Sequence, residues 1–254
     1  MMAVCAARGP ARADRDRAVG HARRPGRPVA RRERQLPRRT RPRRRRHRRN
    51  RAQAGRQVSL VDVELSQNGR PAVHAAVTLG VPDAGEPHYA QEQALAQLPA
   101  EPPAEAHALV ADHPMAQIVH VSQGCDLRVD GASAHFLSGR QGEPEVRMWA
   151  RPWADDEQDP ATAALFAIMT GDICAPVTMN RGIFGWAPTV QLTTYLRRRP
   201  APGWLRVMAS STVLGDTWFE ETTRCSTPPF GRRAEPSARD DPAVGAFGAC
   251  APFR

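Results

Sequence analysis

The chain has 254 residues, 41% of them hydrophobic, and a formal charge of +10, long enough for one large domain or two small ones. All 36 basic side chains are arginines; twenty fall in residues 1–51 against three acids, a net +17, while the other 203 residues carry 16 arginines and 23 acids, a net −7. A basic segment is thus joined to a mildly acidic body. A chain without lysine but rich in Arg, Ala, Pro and Gly is what GC-rich codons yield, which weakens arginine richness as a sign of nucleic-acid binding. Five cysteines, at 5, 125, 174, 225 and 250, show no C-x-x-C spacing and no histidine pair at zinc-finger spacing. A reducing, cytoplasmic compartment fits them best. No apolar run of about 7–15 residues follows the first arginines, so no secretory signal is expected. The longest apolar run, around residues 163–169, is shorter than the roughly 20 residues that span a bilayer, so no membrane partner is expected.

Residues 1–54 include the run Arg43-Arg44-Arg45-Arg46-His47-Arg48-Arg49 and no apolar period. Such a segment cannot bury enough apolar surface to offset the entropy of ordering, and disorder is expected. Arginines there could neutralise phosphates, but no aromatic residue is interleaved for base stacking. Structure is expected from Arg56: Gln57 to Leu65 alternates, Asn68-Gly69 follows, and Ala72 to Leu79 continues. Asn-Gly between two such runs predicts a hairpin with a type I′ turn. Residues 82–115, with Glu101-Pro102-Pro103, read as a linker. His107 and His113 in it are six apart and read as solvated rather than as metal ligands.

Short strands are expected at Gln117–Val121 and Asp126–Asp130, and a clearer one from Glu145 to Arg151, with Val146, Met148 and Ala150 on one face and Trp149 on the other. Asp159-Pro160 opens a helix, as N-cap and N1 proline. It runs to about residue 170 with Leu165, Ile168 and Met169 as its apolar stripe. An antiparallel meander should follow, over residues 188–197, 204–214 and 217–223, and from Thr222 no period remains.

Two phrases in this region, Ala187-Pro188-Thr189-Val190-Gln191-Leu192-Thr193-Thr194-Tyr195-Leu196-Arg197 and Arg199-Pro200-Ala201-Pro202-Gly203-Trp204-Leu205, resemble the second half of acyl-CoA thioesterases of the thioesterase II type. The segment from Ala163 to Asp172 is similar to the central helix of the second unit in that family, and the Asn68-Gly69 hairpin to the closing hairpin of the first. The resemblance implies an α+β double hotdog, in which each curved antiparallel sheet wraps one helix. Residues 55–81 would be the remnant of an incomplete first unit, 116–223 the second unit, and 224–254 a disordered tail. Both flanks share one biased composition, which raises the expectation that they are read out of frame.

The resemblance further implies hydrolysis of acyl-CoA to free acid and CoA without metal or cofactor. It implies Asp172 as the acid that helps orient or activate the attacking water, and Thr189 as a hydrogen-bonding residue at the start of the facing strand. The residues alone leave other roles open. Asp172 also reads as a helix stop, and Thr189 as a β-branched strand residue. Thr189 and Gln191 should share a strand face. The family's glutamine in a final strand has no counterpart after Glu221, so a missing closing strand, and with it loss of activity, is an expectation too. Cys174 reads as a buried structural thiol rather than a nucleophile. The rival readings are nucleic-acid binding through residues 1–52 and a non-catalytic hotdog binding module. A homo-oligomer is a further expectation.

Overall fold

The computed structural model describes residues 45–54, 56–83, 88–89, 94–110, 112–113, 116, 120–185, 187–227 and 241–250, the first and last of these as backbone alone. The expectations placed on residues 1–44, 228–240 and 251–254 lie outside them. Strands β1 (Arg45–Ala54), β2 (Ser59–Gln67) and β3 (Arg70–Leu79) form a three-stranded antiparallel sheet. Asn68 and Gly69 both take positive φ, +56° and +75°, as the type I′ turn requires. β1 lies inside the segment expected to lack structure. A two-stranded hairpin is marginal in water and gains from a third strand; β1 pairs with β2 in antiparallel register from Arg45↔Gln67 to Ala54↔Ser59. Among the described residues no helix longer than a few residues belongs to this first unit.

The second unit holds β4 (His107–Ala108), β5 (Cys125–Val129), β6 (Glu145–Pro152), β7 (Thr189–Leu196), β8 (Leu205–Ser210), β9 (Phe219–Thr227) and β10 (Asp241–Cys250). They lie in the order β4-β5-β6-β8-β9-β10-β7, antiparallel throughout. Two expectations are corrected here. The last three predicted strands do not form a meander, because β7 sits at the sheet edge and β8 in its middle. Nor is the closing strand missing: β9 runs on to Thr227, and β10 inserts between β9 and β7. Its Gly- and Ala-rich sequence, DPAVGAFGAC, offers no apolar alternation for a period-two reading to detect.

One face of this sheet packs on helix α2 (Pro160–Met169), which follows the single turn α1 (Ala154–Glu157). Asp159 caps α2 by accepting the N–H groups of Ala161 and Thr162. The core joins Leu127, Val146, Met148, Val207 and Cys225 of the strands to Phe166 and Ala167 of α2. The expected helix stripe is only partly the buried one. Ile168 packs against the core, but Leu165 is 64% and Met169 38% exposed. Small residues, Ala164 and Ala167, let the helix approach the sheet, which turns Leu165 to the far side. The stretch Pro160–Arg181 has the length and hydropathy of a membrane span. In the fold it is α2 followed by two short 3-10 turns, Thr170–Asp172 and Val177–Arg181.

The other sheet face is covered by the segment expected to be a linker. The 3-10 turn Ala94–Gln97 brings Leu95 and Leu98 onto Trp149 and Met208. The Trp149 indole N–H donates to the Pro99 carbonyl at 2.8 Å, and Arg206 Nη1 to the Leu98 carbonyl at 3.0 Å. This explains why Trp149 alternates with the core residues of its strand yet is buried. Of the strand expected at 117–121, residues 117–119 lie outside the described residues, and His120–Gly124 is a 3-10 turn.

The connection from β7 to β8 is held by Glu157. Its carboxylate pairs with Arg151 at 2.7 Å and accepts the Gly203 N–H at 2.6 Å. Gly203 has φ +108° with open space around its Cβ position, so an added side chain meets backbone strain rather than a clash. Gly203→Ala is expected to cost about 1–2 kcal/mol, lowering the melting temperature by about 2–8 °C, as thermal denaturation followed by circular dichroism will read.

Candidate active site

At the C-terminal end of α2 the chain tightens into the 3-10 turn Thr170–Asp172. The Thr170 hydroxyl donates to the Ala167 carbonyl at 2.7 Å, anchoring the turn in the core. Asp172 emerges exposed, and its Oδ1 accepts a hydrogen bond from the Thr189 hydroxyl at 2.6 Å. The two residues singled out in the sequence are therefore in direct contact, 17 positions apart along the chain.

The reach of Thr189 depends on a backbone irregularity. Gln191 is opposite Ala249 of β10, and Thr189 is opposite Cys250, so Val190 is an extra residue on β7. A β-bulge of this kind breaks alternation and re-aims the side chain beyond it. Thr189 is thereby brought to Asp172, whereas Gln191 is exposed. The expectation that Thr189 and Gln191 share a face does not hold, because the bulge lies between them.

The sequence assigns Glu221 no role in the site. It takes an inward register position on β9, two and four residues from Thr223 and Cys225. Its Oε2 accepts the Val177 N–H at 3.2 Å. Burial, with Asp172 beside it, pushes the Glu221 carboxyl up to about 7, although the Val177 N–H pulls the other way. The available signal was an acid in phase with the inward residues of a strand. The Cys174 thiol feels the charges of both Glu221 and Asp172. Burial raises its thiol well above the usual range, and the neighbouring Glu221 adds to this. A thiol held protonated is a poor nucleophile, in line with a structural reading.

Among the described residues no three His, Cys, Asp or Glu side chains converge as metal ligands. A cavity of about 320 Å³ opens at the other end of α2, lined by Pro160, Phe166, Pro202 and Leu205. Neither Asp172 nor Thr189 lines it.

Residues 94–228, more than half of the chain, match the family model of the acyl-CoA thioesterase C-terminal domain. The chain belongs to this acyl-CoA thioesterase family. The region that matches the acyl-CoA thioesterase family begins inside the segment read as a linker, where Leu95 and Leu98 enter the fold. Uncharacterised proteins of Mycobacterium tuberculosis and Mycobacterium bovis are 41% identical over 181 residues, covering 66% of this chain. The chain spans about 60% of the length of these relatives. Among solved structures, a protein assigned as a thioesterase II from Thermobifida fusca YX is similar at 24% identity and TM-score 0.63, over 82% of this chain and 72% of that one. A hot dog protein of unknown function from Alicyclobacillus acidocaldarius follows at 15% and 0.61, over 82% and 72%. The tesB protein of Mycobacterium avium subs paratuberculosis gives 14% and 0.54, over 82% and 71%. These likenesses establish the hot dog fold of this thioesterase-family chain.

Proposed function

We propose that the protein hydrolyses acyl-CoA thioesters at Asp172, releasing free acid and CoA. The observation that carries this reading is the 2.6 Å hydrogen bond from Thr189 to an exposed carboxylate at the end of the core helix. Thioester hydrolysis needs a positioned water and a group that takes its proton. With Thr189 occupying Oδ1, the second oxygen of Asp172 can accept a proton from water. The water oxygen then bonds to the thioester carbon, the carbon–sulfur bond breaks, and the thiolate leaves to be protonated as CoA thiol. Thr189 fixes the direction of the carboxylate and does not itself exchange a proton.

The presence of β10 supports an active rather than a truncated site, since the β7 bulge that aims Thr189 is defined against that strand. Nucleic-acid binding gains less support. Residues 45–54 pair with β2 along their whole length, so that part of the basic segment is not a free arm. The test is free-thiol release from medium- and long-chain acyl-CoAs by the purified full chain. Turnover well above buffer is expected; release at the buffer rate for every chain length would refute the assignment.

A further inference from the structure

The cavity of about 320 Å³ at the first turn of α2 takes no part in the hydrolytic step. Its volume lies at the lower end of the about 300–1,000 Å³ of small-molecule sites, too little for a whole acyl-CoA. Phe166 and Leu205 line it from the core, where both are buried. Four prolines, Pro152, Pro160, Pro200 and Pro202, line it as well. A proline has a fixed φ and no N–H to donate, so these walls are stiff and largely apolar. Glu157 stiffens them further, because it accepts the Gly203 N–H at 2.6 Å and so anchors the connection from β7 to β8. A cavity shaped before binding spares its ligand part of the cost of ordering the protein.

Two charged side chains line the cavity, Glu157 and Arg199. Both Glu157 oxygens are engaged. Oε1 accepts from Arg151 Nε at 3.1 Å and from the Gly203 N–H, and Oε2 from Arg151 Nη2 at 2.7 Å. Asp159, next to Pro160, is spent on capping α2. Arg199 is exposed and belongs to no ion pair among the described residues. The charge that the cavity leaves uncompensated is therefore positive.

We propose that this cavity binds an unbranched monocarboxylic acid of short to medium chain length, with its alkyl chain against Phe166 and Leu205 and its carboxylate on Arg199. A guanidinium presents paired donors that match the two oxygens of a carboxylate, and the stiff apolar walls match the chain. The site is separate from Asp172 and does not depend on the hydrolytic reading. If that reading holds, an acid of this class is also what the reaction releases.

The experiment is calorimetric titration of the full chain with sodium octanoate, sodium butyrate and octylamine. Octanoate is expected to bind saturably, and more tightly than butyrate by up to about fourfold for each added methylene. Arg199→Gln changes an exposed side chain and should weaken octanoate by about tenfold or more, the worth of a hydrogen bond between charged groups. Ala163→Leu keeps a residue that helices favour while filling the cavity from α2, and should abolish octanoate binding. Asp172→Asn should bind octanoate as the wild type does. Absence of saturable octanoate binding overturns the proposal. So do octylamine bound as tightly as octanoate, an affinity unchanged in both cavity variants, and loss of octanoate binding in Asp172→Asn. Thiol release is measured separately, so failure of this site and failure of the hydrolytic reading are told apart.

Discussion

Asp172→Asn is expected to lower kcat for acyl-CoA hydrolysis by about 10²–10⁴-fold, the usual contribution of a positioned general base, with KM little changed. Asparagine keeps the carbonyl oxygen that accepts the Thr189 hydroxyl at 2.6 Å, so the geometry survives while proton acceptance is lost. Loss of rate without loss of binding is the signature of an interaction made only in the transition state. Stability supplies the control. A negative charge at a helix C-terminus is opposed by the helix dipole by about 0.3–1 kcal/mol. The variant should therefore melt at or slightly above the wild-type temperature. An active Asp172→Asn chain would remove Asp172 from the chemistry.

The same reasoning separates Asp172 from its partner. Thr189→Val keeps the β-branched shape that suits the strand but leaves the carboxylate without its 2.6 Å donor. The base remains, less well directed, so the loss should be smaller than in Asp172→Asn. The pair thus stores a local cost, a charge kept where the helix end disfavours it, and such costs are typical of sites selected for function rather than stability.

How much of this was legible in the sequence follows the range of the physics involved. Asn68-Gly69 and Asp159-Pro160 encode turn and cap within two residues, and both elements lie where the sequence puts them. The strands around Val146 and Leu205 carry period-two patterns because one face meets the helix. Trp149 broke that pattern, and nothing local could show that Leu95 and Leu98 return to cover it some 50 residues away. β10 was invisible because glycine and alanine carry no amphipathic signal. At the site, Asp172 and Thr189 were identified by resemblance, yet their contact depends on a bulge at Val190 that only the pairing register reveals. Glu221 was passed over because its meaning comes from what surrounds it in space, not from its neighbours in sequence.

Asn180→Ala is expected to destabilise the chain by about 3–4 kcal/mol, near the upper end for a single substitution. Asn180 is 0% exposed. Its Nδ2 lies 2.8, 2.9 and 2.7 Å from the carbonyls of Ser133, Glu143 and Glu145, which share its two hydrogens, and its Oδ1 accepts the Phe136 N–H at 3.3 Å. Truncation removes the shared partner of three carbonyls and one N–H together, and each buried group left unpaired costs about 1–3 kcal/mol, less where water can enter. Asn180→Asp should be worse than alanine, since it sets a carboxylate without donors against the same three carbonyl oxygens. Arg181→Ala is the contrast: its bond to the Gly142 carbonyl is exposed, and a loss within about 0.5 kcal/mol is expected.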